Sequence, residues 1–122
     1  MQFVTDRTQA DVDLGNEKGC YGFADLNRVE QTVSELADIL RAKGIQVDLQ
    51  SVKTDWALPG IYSADTWPVQ SQMKRYLDNV RAVVTAGGVD VSLIPAHMDD
   101  LTLEGANAIE AALQDVFNLH NG

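Results

Sequence analysis

Three stretches of the chain repeat their apolar residues at the spacing of an α-helix. Between Gly22 and Gly44, Leu26, Val29, Val33, Leu36, Ala37 and Leu40 all fall on one face of a 3.6-residue period. Arg28, Gln31, Glu35, Asp38 and Arg41 take most of the opposite face. Asp25 in the first turn suits the positive end of the helix dipole, and Lys43 followed by Gly44 supplies a stop. A second helix is predicted from about Val69 to about Ala86, burying Met73, Tyr76, Leu77, Val80, Val83 and Val84 and ending at Gly87 and Gly88. A third runs from an N-cap at Thr102 to about Leu119 on a stripe of Ala106, Ile109, Ala112, Leu113, Val116 and Phe117, with Leu101 and Ala106 placed as a hydrophobic staple. A short helix over about Thr8 to Leu14 precedes these three.

The period changes between the helices. Ile45, Val47 and Leu49 alternate with Gln46, Asp48 and Gln50, and Val89, Val91 and Leu93 alternate in the same way. Such stretches either pair as a two-stranded sheet or lie as extended chain over a helical core. The second is preferred, because a lone two-stranded sheet is marginal. The fold class that follows is mainly α: a compact, irregular bundle of three long helices and one short N-terminal helix, with extended linkers and at most a two-stranded sheet. With 122 residues, 1–122 reads as a single domain large enough to hold a core.

Charge narrows the partners. Nine basic against eighteen acidic residues give a formal net charge of -9. That balance argues against a nucleic-acid partner, which needs clustered cations, and against an anionic membrane surface. The N-terminus MQFVTDRTQAD is polar, without the apolar core of a signal peptide, and no apolar run approaches a membrane span. The cytoplasm is the expected site of synthesis.

Candidate chemistry is sparse. Cys20 stands alone in GCYG, and His97 and His120 are isolated from it and from each other. Asp99, Asp100, Thr102 and Glu104 lack the spacing of a calcium loop and read as acids at a helix N-terminus. Glu30 and Glu110 are a weak carboxylate pair for acid–base work. No catalytic, metal-binding or cofactor-binding residues are assigned, no cofactor is called for, and the chain is not expected to be an enzyme. Trp56, Tyr62 and Trp67, around the turn dipeptide Pro59-Gly60, form a candidate interaction surface for a protein or a sugar. An internal echo adds a polar pair. LNRVEQTV in the central helix and ANAIEAAL in the last share the order apolar, Asn, any, apolar, Glu, any, any, apolar. Asn disfavours helix interiors, so Asn27 and Asn107 are expected to meet where these helices meet, bonding backbone or loop groups.

Five segments together resemble a known family. FVTDRTQADVD, DLNRVEQTVSELADIL, KTDW, QSQMKRYLDNVRAV and LTLEGANAIEAALQDV follow the order of a small domain found in prophage regions of Gram-positive gut bacteria. Its pattern reads TDRTxADV, DLNRIE, KTDW, MERYLxNV and LTxxxANxIE. The resemblance spans nearly the whole chain, although relatives often carry a longer segment where this chain has GNEKGCYGF. It implies a non-enzymatic structural or adaptor module of a phage tail or baseplate. Other tail proteins would be its partners, homo-oligomers are possible, the bacterial cytoplasm is its site of synthesis and the virion is its destination once assembled. Two alternatives stand beside it: a carbohydrate-binding module using the loop aromatics, and an acidic inhibitor of a host protein.

Overall fold

The computed structural model describes residues 3–14, 23–52, 70–96 and 102–120. Four helices follow in order: α1 (Gln9–Leu14), α2 (Phe23–Ala42), α3 (Gln70–Ala86) and α4 (Leu103–His120). The three long helices match the segments predicted from apolar spacing, and α1 matches the short helix expected before them, with ends displaced by a residue or two. There is no strand among the described residues.

Local chemistry explains where these helices begin and end. Thr8 and Asp11 form a reciprocal cap at the start of α1: the Asp11 amide donates to Thr8 Oγ1 at 3.2 Å and the Thr8 amide donates to Asp11 Oδ2 at 3.0 Å. Thr102 caps α4, its Oγ1 accepting the Gly105 amide at 3.0 Å. α2 and α3 stop in the same manner. Gly44 (φ 82°) and Gly88 (φ 80°) take the left-handed conformation. The Ile45 amide then reaches back to the Leu40 carbonyl and the Gly44 amide to Arg41, just as Val89 reaches Val84 and Gly88 reaches Thr85. In both turns the residue after the glycine is apolar and half-buried, which redirects the chain onto the core.

α2, α3 and α4 each pack against the other two, so their apolar faces share one centre. Leu36, Leu40, Leu77, Val83, Ile109 and Leu113 are fully enclosed there. Each such side chain contributes about 1.5–3 kcal/mol of burial. The extended segments close the sides. Val47 is buried and Ile45 and Leu49 half-buried, while Gln46, Asp48 and Gln50 face outward. Val89 and Val91 are half-buried and Ile94 is buried. The first stretch therefore drapes over the helices as extended chain. The second turns after Val91, where the Ile94 amide donates to the Val91 carbonyl at 3.1 Å, so that Leu93, expected to alternate inward, is exposed and Ile94 is buried in its place. In the first stretch the pleat does what it would do in a sheet, sending alternate side chains inward, and the helices take the place of a neighbouring strand.

Candidate functional site

The densest gathering of polar groups lies where residues 3–8 cross α2 and α4. This N-terminal arm has no regular secondary structure, and side chains on the two helices take up its backbone groups. Glu110 Oε1 accepts the Val4 amide at 3.0 Å. Asn107 grips both backbone polar groups of Arg7: its Oδ1 accepts the Arg7 amide at 3.0 Å and its Nδ2 donates to the Arg7 carbonyl at 3.0 Å. Phe3 rests against Phe117, ring centroids 6.0 Å apart and tilted by 48°.

Charge fills the floor of this crossing. The Arg7 guanidinium donates to Glu110 Oε2 at 2.6 Å and to Asp25 Oδ1 at 3.2 Å. Arg28, one turn along α2 from Asp25, donates to Asp25 Oδ1 at 2.7 Å and straddles Glu110 with bonds of 3.0 and 2.7 Å. The side chains of Arg7 and Glu110 are 2% and 1% exposed. Two carboxylates thus face two guanidiniums in a largely dehydrated site, an arrangement that holds only when the groups are mutually paired. Burial works against the charge on Arg28, but its hydrogen bonds to Glu110 and Asp25 outweigh that and hold its pKa above the ordinary arginine value.

A smaller node repeats the plan on the other side of α2. Arg75 of α3 donates to Glu30 at 2.6 and 3.2 Å and to the Ser51 carbonyl at 2.7 Å. Asn79, buried on α3, accepts the Gln50 amide at 2.9 Å and donates to the Gln50 carbonyl at 3.1 Å. Asn79 therefore holds the segment after α2 as Asn107 holds the segment before α1. In each case a helix-borne amide stands in for the neighbouring strand that the extended chain lacks.

This geometry assigns roles to several residues singled out from the sequence. Asn107 does bond backbone, that of Arg7. Asn27 is half-buried on α2, one turn before Glu30. Glu30 and Glu110 are each engaged by their own arginines. Both oxygens of Glu110 already accept two bonds apiece, which fills the acceptor capacity of a carboxylate. His120 Nε2 lies 2.8 Å from the Gly87 carbonyl and ties the end of α4 to the end of α3. Trp56, Tyr62 and Trp67 lie outside the described residues, as do Cys20, His97, Asp99 and Asp100.

Arg7, Arg75 and Asn79 were not singled out by sequence reasoning. Their signal was present only in the motif-like segments TDRT and MKRYLDNV. Among the described residues no group of three His, Cys, Asp or Glu side chains gathers as metal ligands would, and no helix is long and apolar enough to cross a membrane. A shallow, mostly apolar depression of about 320 Å³ lies between Leu93, Pro95, Thr102, Gly105 and Ala108, with Glu104 at its edge.

No family model, curated protein or solved structure matches the chain.

Proposed function

We propose that the protein is a structural or adaptor module of a phage tail or baseplate, working through protein contacts and without catalysis. One observation carries this reading. The segments that give the chain its likeness to prophage-encoded tail domains are joined to one another by their polar residues. Arg7 of TDRT meets Asp25 and Arg28 of DLNRVE and Glu110 of ANAIE. Glu30 of DLNRVE meets Arg75 of MKRYLDNV, and Asn107 of ANAIE holds the Arg7 backbone. KTDW, at 53–56, lies outside the described residues. Residues that would be shared across such a family for catalysis would leave lone pairs facing a cleft. These residues spend theirs on each other, as expected where the recurring requirement is a rigid body that presents its outside to partners.

The test is composition of the particle. The tagged full-length chain, produced in a lysogen whose prophage encodes it, is expected to band with purified phage and to be captured with tail or baseplate proteins. Recovery of particles that contain every tail protein but none of this chain would overturn the reading.

A further inference from the structure

We propose that the groove between α2 and α4 that holds residues 3–8 is a receptor for the same arm from a second copy of the chain, so that two copies join by exchanging arms. The inference rests on the structural-module reading and names one partner for it.

The arm behaves as a ligand of the helical pack. Its anchor points on the helices are side chains of α2 and α4: Asp25, Asn107, Glu110 and Phe117. Glu110 and Phe117 lie more than 100 residues along the chain from their partners in the arm. The three long helices close on each other through contacts that do not involve α1. α1 itself is capped internally by Thr8 and Asp11 and leaves Gln9, Ala10, Asp13 and Leu14 exposed. None of the described side chains of α1 belongs to the buried core cluster.

The groove is also selective. Its carboxylates Asp25 and Glu110 each pair with Arg28 of α2 and with Arg7 of the arm. Asn107 requires an extended backbone at that arginine, and Phe117 provides an apolar seat four residues before it, at Phe3. A second copy supplies the same backbone, the same arginine and the same phenylalanine, so exchange preserves each of these contacts. Monomer and exchanged pair then differ mainly in the entropy of association and in the path of the connecting chain, the ordinary condition for swapping an element between identical protomers. The net charge of -9 on each copy opposes the encounter. Salt screens that repulsion far more than it screens the buried arginine bonds, so exchange increases with both concentration and ionic strength.

Cross-linking in a mixture tests this. Two full-length chains, each carrying Cys20→Ser, receive either Phe3→Cys or Phe117→Cys. They are unfolded together, refolded at high concentration and oxidised. A covalent two-chain species is expected severalfold above that from a control pair combining Phe117→Cys with Cys at the exposed position Glu35, and Arg7→Ala in the Phe3→Cys chain is expected to return it to the control level. A yield equal to the control overturns the proposal. Should either cysteine variant fail to fold, the unmodified chain decides. In a mixture of isotope-labelled and unlabelled protein at raised salt, cross-peaks between the Phe3 ring of one chain and the Phe117 ring of another are expected, and contacts confined within each chain overturn it. Both measurements use purified protein, so their failure leaves association with phage particles untouched, and absence from the particles would leave them standing.

Discussion

Glu110 accepts four hydrogen bonds at a site from which water is almost excluded. Its removal would leave Arg7 and Arg28 with Asp25 as their shared carboxylate and would release the Val4 amide. Breaking a buried pair from one side costs about 3–5 kcal/mol, because the remaining charge stays dehydrated. Glu110→Ala is expected to lower stability by that amount, read as a fall in the urea midpoint at unchanged slope. The two glycines after α3 make a finer contrast. A methyl group on Gly87 would sit 2.8 Å from Val116 Cγ1, whereas one on Gly88 would meet nothing within 4 Å. Gly87→Ala is therefore expected to cost about 1–3 kcal/mol by overpacking. Gly88→Ala should cost about 1–2 kcal/mol through its left-handed backbone. A double-mutant cycle with Val116→Ala separates the causes: the Gly87→Ala penalty shrinks in that background, and the Gly88→Ala penalty does not.

The helices were legible in the sequence because their signals are local. Apolar stripes, the Thr102 cap and the Gly44 and Gly88 stops each involve residues a few positions apart, and the fold uses them as written. The clips on the extended segments were only half legible. Asn107 stood out as an odd choice in a helix, but its partner, Arg7, is 100 residues away. Nothing in a period links the two. Asn79 was hidden more fully, since one Asn among the polar residues of α3 carries no pattern. Its role makes a prediction at the level of the element. Asn79→Ala removes both bonds to Gln50, and because Gln50 is exposed, water replaces much of what is lost. The expected cost is about 1 kcal/mol, with faster amide exchange at Gln50 while the amides of α3 keep their protection. The neighbouring Asp78 links the same helix to pH. A hydrogen bond from Lys74, more than any other influence, holds its carboxyl below the usual aspartate range. A depressed folded pKa means that the contribution is complete above the unfolded value and is lost as pH falls through the folded one. Asp78→Asn is thus expected to flatten the acid limb of the stability profile slightly. The effect is small, because Lys74 is largely exposed.

At the scale of the whole molecule, the three apolar stripes have one destination. Leu36 on α2, Leu77 on α3 and Leu113 on α4 belong to the same buried cluster and are at most 1% exposed. Each helix packs against the other two, so none can leave without opening two of the three interfaces. The polar network reinforces this coupling, since Glu110 joins α4 to α2 and Glu30 joins α2 to α3 through Arg75. Unfolding should therefore be a single event for the three long helices. Leu113→Ala, which removes a fully enclosed side chain from α4, is expected to cost about 2–5 kcal/mol through lost burial and the cavity left behind. If the helices form one cooperative unit, protection of the slowest-exchanging amides in α2, α3 and α4 falls by the same amount. A loss confined to α4, with α2 and α3 retaining their protection, would show that the helices are separable and that their common core does not hold them as one body.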